Sequence, residues 1–91
     1  MTTIWKFVLN TPMVANITKL KVPCLCDFLS VDMQDRQLCL WAQVDTEAEL
    51  VEMQLEVYGT GHEILDHGMS VYIGTAFDGP FVWHVFERLY Q

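Results

Sequence analysis

The 91-residue chain is 52% apolar and includes five Phe, three Trp and three Tyr, which excludes a disordered polymer and is enough for one small domain with a modest core. Twelve acidic against five basic side chains leave a formal charge of −7, which disfavours direct nucleic-acid binding, because such affinity rests on neutralising phosphates. No apolar run reaches the ~18 residues of a membrane-spanning helix, and no cationic stretch followed by an apolar one marks a secretory leader, so the expected location is the cytoplasm.

In chain order, "IWKFVL" at the start is a predicted strand, and "ITKLKV" is another, ended by Pro23. "DFLSVDM" and "QLCLWAQV" form the clearest hairpin, with "QDRQ" between them predicted as a four-residue loop built on a type I turn. In the second of these strands Leu38, Leu40, Ala42 and Val44 share one face, and Gln37, Cys39, Trp41 and Gln43 the other. "TEAEL" (46–50) has room for a single helical turn capped by Asp45 or Thr46. "EMQLEVYG" alternates strictly: Val51, Met53, Leu55 and Val57 point one way, Glu52, Gln54, Glu56 and Tyr58 the other. "VYIGTAF" and "FVWHVFERL" flank "DGP", where Asp78-Gly79 signals a turn and Pro80 cannot donate to a ladder. The last strand is apolar on both faces, which places it centrally between layers or at an interface and gives His84 a hydrogen-bonded packing role there.

The pattern predicts an all-β fold: a small antiparallel sandwich or partly closed barrel of about seven strands with little or no helix, a single domain over residues 1–91. Cys24, Cys26 and Cys39 are expected to be free thiols. Cys24 and Cys26 are spaced C-x-C, not the C-x-x-C that usually carries zinc or redox chemistry, so no metal or cofactor is expected.

One stretch is a candidate site. In "VYGTGHEI" two of the five glycines bracket Thr60 directly before His62. Gly59 and Gly61 can take positive φ or let another backbone approach, and with Thr60 they can turn successive N–H groups outward as an anion-binding nest. His62 adds an imidazole that donates or stacks. Gly59, Thr60, Gly61 and His62 are therefore the nominated ligand-binding residues, together with Trp83, which an oligomer seam would bring in from a neighbouring copy as an aromatic wall, Trp41 and Tyr72 being the alternatives. The competing reading is a glycine bulge ending a strand, with His62 bonded to the backbone. Catalysis has weaker support: Ser70 or a cysteine with a histidine and Asp66, or His62 with Asp66 and His67, are compositions without a distinguishing context. No enzymatic activity is expected.

"IWKF", "LWAQVD", "YGTGHEI", "YIGT" and the terminal "VWHVFE" together resemble a family of small uncharacterised proteins found in bacteriophages and prophage-bearing bacterial genomes. The likeness runs through nearly the whole chain. It departs at Val8, where the family has proline, and at Cys24-Leu25-Cys26, where a small Gly-Ala step follows the proline. The resemblance implies a phage-like origin and no established activity. From it we expect a non-enzymatic binding module, an antagonist of bacterial antiviral defence in the cytoplasm of the infected host. Its partner is expected to be a small anionic ligand such as a nucleotide signal, held at a seam of a homo-oligomer. Lys6, Lys19, Lys21, Arg36 and Arg88 would supply the positive charge. Two alternatives stand beside it: an acidic protein that blocks a host defence protein through Glu52 and Glu56, and a virion or assembly accessory.

Overall fold

The structure, a computed structural model, describes residues 1–64 and 69–89. These contain seven strands and no α-helix: β1 (Thr2–Leu9), β2 (Ile17–Pro23), β3 (Cys26–Gln34), β4 (Gln37–Asp45), β5 (Leu50–Gly59), β6 (Ser70–Asp78) and β7 (Phe81–Arg88). They pair antiparallel in two sheets, ordered β1-β4-β3 and β2-β5-β7-β6. The sheets face one another without closing, so of the two expected architectures the fold is the sandwich.

The period-two faces read from the sequence are the faces that pack. Leu38, Leu40, Ala42 and Val44 of β4 are all buried, opposite Leu55 and Val57 of β5 and Trp83 and Val85 of β7. Leu38, Leu40 and Leu55 have almost no exposure, and removing each from water contributes roughly 2–3 kcal/mol. The expected place between two layers is not met: β7 is central in its own sheet, between β5 and β6, and only one of its two apolar faces meets the other sheet. Its inner residues enter the core, while His84 and Phe86 lie on the outer face of the same sheet.

Two irregularities reset the alternation. The pairing of β3 with β4 shifts at Leu29, between Phe28 and Ser30, and that of β6 with β7 shifts at Ile73, between Tyr72 and Gly74. Each extra residue flips the faces beyond it. Phe28 and Val31 thereby both face inward, and Tyr72 and Thr75 both face outward. The two bulged strands are also where the sheets come closest. A Cβ added at Gly74 would lie 3.2 Å from Val31 Cβ and Cγ2, so a glycine there lets β6 approach β3.

The turns differ from expectation in two cases. The β3–β4 hairpin closes through only two residues, Asp35 and Arg36, both left-handed with φ of 51° and 66°. That is the signature of a type I′ turn, not the predicted four-residue type I loop. The primed turn wins because its twist matches that of the paired strands, which outweighs the local preference of arginine. The β6–β7 hairpin turns at Gly79-Pro80, with Gly79 at φ 57°, as a glycine-first turn requires. Residues 46–49 make a capped turn without a helix. Asp45 Oδ1 accepts the Glu47 N–H at 3.0 Å, Ala48 N–H donates to the Asp45 carbonyl at 3.1 Å, and β5 starts at Leu50.

Arg36 holds a conformation that costs an L-residue about 1–2 kcal/mol, while glycine gives back roughly 0.4–1 kcal/mol of that through its freer unfolded chain. Arg36→Gly is therefore expected to stabilise the domain by about 0.5 kcal/mol and raise its thermal midpoint by roughly 2–4 °C. A lower midpoint in a thermal melt would refute the type I′ assignment.

Candidate functional site

β5 ends in Gly59, which pairs with Trp83 of β7, and the preceding Tyr58 pairs with His84. The chain then turns through Thr60 and Gly61, the latter at φ 90°, and returns His62 over the glycine it has just left. His62 Nδ1 accepts the Gly59 N–H at 3.1 Å, and the His62 N–H donates to the Gly59 carbonyl at 3.0 Å. A Cβ on Gly59 would sit 2.8 Å from His62 Cε1. Gly59 is thus a glycine because an imidazole lies on its backbone. The Thr60 N–H donates to the Val82 carbonyl at 3.3 Å. Two of the amides proposed for an anion-binding nest are therefore spent inside the protein, and the expected nest is not formed by this turn. What the turn builds instead is a fixed imidazole.

Gly59, Thr60, His62 and Trp83 line one concavity of about 290 Å³. Of the five nominated ligand-binding residues only Gly61 is not on its wall. The remaining wall is supplied by Pro12, Met13, Pro80, Phe81 and Val82. Trp83 is only 3% exposed and forms the floor. Its indole N–H donates to Asp78 Oδ2 at 3.1 Å. Phe81 stacks on it with ring centroids 5.3 Å apart at 11° and presents the open ring face, being 44% exposed. The β1–β2 connection reaches the same place through a turn in which the Val14 and Ala15 N–H groups donate to the Thr11 carbonyl, setting Pro12 and Met13 on the rim. Phe81 and the Pro12-Met13 turn are not among the nominated residues; Phe81 shares a strand face with Trp83, a period-two signal that points to it, whereas nothing local in the sequence points to the Pro12-Met13 turn.

Behind the rim runs a chain of polar contacts on the outer face of the four-stranded sheet. Thr60 Oγ1 lies 2.8 Å from His84 Nε2, His84 Nδ1 lies 3.1 Å from Thr75 Oγ1, and Thr75 Oγ1 lies 2.5 Å from the Tyr72 hydroxyl. Hydroxyl, imidazole and orienting group in that order resemble an activated nucleophile. The orienting group here is a neutral hydroxyl, however, and supplies no charge to stabilise an imidazolium. His84 is hydrogen-bonded as expected, but from the half-buried outer face of β7 and not from the core, and its link to Thr60 depends on register and on the β6 bulge. Asp66 and His67, considered for acid–base roles, lie outside the described residues.

The five cations do not gather at the cavity. Lys6 donates to Gln34 Oε1 at 2.8 Å, Lys19 and Lys21 stand in β2 opposite Gln54 and Glu52, Arg36 is in the hairpin turn, and Arg88 is paired with Glu56. None of them lines the wall.

Of the two glutamates assigned to a partner, Glu52 is exposed and Glu56 is not. Glu56 is 2% exposed, accepts from Arg88 Nη1 at 2.8 Å through Oε2 and from the Ser70 hydroxyl at 2.5 Å through Oε1. The expectation that Glu56 faces a partner is therefore corrected: its carboxylate is a buried, fully hydrogen-bonded member of the sheet. Removing Arg88 strands that charge, which costs about 3–5 kcal/mol at buried sites. Since Arg88 keeps 21% side-chain exposure, we expect Arg88→Ala to lose about 3 kcal/mol in urea unfolding. The double variant Glu56→Gln/Arg88→Met should recover most of it, and equal losses in the two proteins would contradict this account.

The cysteines are all free: Cys24 exposed, Cys26 half-buried, Cys39 buried. Burial, reinforced by the negative charges of Asp27 and Glu87, pushes the Cys26 thiol up. Among the described residues no group of three or more His, Cys, Asp or Glu side chains is placed to hold a metal ion. A thiol reagent followed by peptide mass mapping should label Cys24 first. Cys26 should react only as the pH rises beyond the range of an unhindered thiol, and Cys39 only on unfolding. Early labelling of Cys39 would contradict the packing of β4.

An open all-β sandwich with a largely apolar concavity at the end of its central strands is the class of protein these features define. The chain belongs to the family described as "Domain of unknown function (DUF7352)", whose model matches residues 1–91. No curated protein and no solved structure matches the chain.

Proposed function

We propose that this protein is a non-enzymatic binding module that captures a small molecule in the cavity beside the Gly59–His62 turn. The observation that carries the reading is convergence: residues from the β1–β2 turn, the end of β5 and the β6–β7 hairpin meet around one concavity of about 290 Å³. Small-ligand sites combine a mostly apolar wall with few placed polar groups. Here Phe81, Met13 and the two prolines form the wall, and Thr60 and His62 are the polar groups. Such a module acts by occupancy. With the phage-like resemblance, the reading becomes removal of a small signal, a nucleotide signal being one case, from a bacterial antiviral system in the host cytoplasm. Capture of a host protein through the acidic surface is the weaker alternative, because Glu56 is engaged internally and leaves Glu52 without its strand-face companion. Self-association belongs to the same proposal, and it is supported by Tyr72 and Phe77, which are 56% and 72% exposed on the outer side of β6.

The test is release mass spectrometry. Purified protein is incubated with nucleotide immune signals and a bacterial metabolite extract, washed and heat-denatured, and the released compounds are identified. Stoichiometric release of one intact compound, lost in Thr60→Ala/His62→Ala, is the expected result. An altered compound would show turnover and overturn the non-enzymatic reading, and the absence of any bound compound would overturn small-molecule capture.

A further inference from the structure

The polar groups at the cavity have fixed or restricted roles, and these constrain the occupant. His62 Nδ1 is an acceptor, because it faces the Gly59 N–H at 3.1 Å. A neutral imidazole with Nδ1 accepting carries its proton on Nε2. His62, which lines the cavity, therefore carries a donor at its wall. The Trp83 indole N–H is committed to Asp78, leaving that side chain only its ring surface. The Thr60 N–H and Gly59 N–H are committed to Val82 and His62. The Thr60 hydroxyl, held by His84 Nε2 at 2.8 Å, can donate or accept according to the tautomer of His84.

Charge narrows the choice further. Among the described residues no lysine or arginine lines the wall, and the carboxylate of Asp78 is anchored on the floor tryptophan. The chain as a whole carries −7. A phosphate moved from water into this setting would lose hydration with no cation to replace it, and would meet a negative potential. A neutral carbonyl or ring nitrogen loses much less and gains the His62 donor. Phe81, stacked parallel on Trp83, favours a flat partner, since aromatic rings stack offset on one another.

Resting on the binding reading above, we infer that the group the cavity recognises is an uncharged planar ring bearing a hydrogen-bond acceptor, a carbonyl or heteroaromatic nitrogen, directed at His62 Nε2. In a nucleotide this part is the base, with the phosphates left outside.

Three probes sharing one ring separate the possibilities: 2-acetylnaphthalene, its hydrocarbon isostere 2-isopropenylnaphthalene, and 2-naphthyl phosphate. Binding is followed by amide shift perturbation at Gly59, Thr60 and Trp83. The ketone is expected to bind at least tenfold more tightly than the hydrocarbon and the phosphate. That advantage should vanish in His62→Ala, whose fold is checked by the unchanged shifts of β4, and should survive in Thr60→Val. Equal binding of ketone and hydrocarbon would overturn the acceptor inference while leaving the cavity a binding site. Tightest binding by the phosphate would overturn the uncharged assignment. If no probe perturbs these amides at millimolar concentration, the inference and the binding reading on which it rests both fail.

Discussion

The register between β5 and β7 is the constraint on which the rest of this structure depends. It sets Val57 against Val85, Tyr58 against His84 and Gly59 against Trp83, and a slip of one residue would turn the inner row of either strand to solvent. The apolar faces enforce the pairing: Leu55, Val57, Trp83 and Val85 reach the core together only in this alignment. The same alignment brings Thr60 to His84 and Glu56 to Arg88. Core packing and site geometry are thus consequences of one ladder.

The Gly59–His62 turn trades an open anion nest for a rigid imidazole. By accepting the Gly59 N–H, His62 satisfies a backbone donor in a buried residue, and such donors are costly to leave unpaired. It also fixes its own tautomer and ring plane. A floor of buried Trp83, a stacked Phe81 and a tethered His62 make the cavity preorganised, so little side-chain freedom remains to be lost when something binds.

On the outer face of the same sheet, Glu56 illustrates how an acidic residue becomes structural. Arg88 neutralises it and Ser70 fills the remaining oxygen, so desolvation is offset by two hydrogen bonds. Phe86 sits beside this pair, in edge contact with Tyr58 and Tyr72. The face is therefore partly dry even though, among the described residues, no second sheet covers it. Net charge alone does not reveal this, because the −7 balance counts Glu56 and the exposed Glu52 alike.

Alternation and turn signals by themselves determined about seven strands and the inner rows of β4 and β5, because burial on one side of a strand leaves a period of two that survives any tertiary detail. They also marked "GTGH", since glycines beside a threonine and a histidine are a local composition. The tertiary structure alone decided what these residues face. The bulges at Leu29 and Ile73 shift face without changing composition, the twist of β3 and β4 forced Arg36 into a left-handed turn, and Glu56 met Arg88 across 32 residues of chain. Met13 joins Phe81 at the cavity for the same reason: their meeting is set by how three separated segments pack at one end of a sandwich, and non-local contacts of this kind leave no periodic trace in the chain.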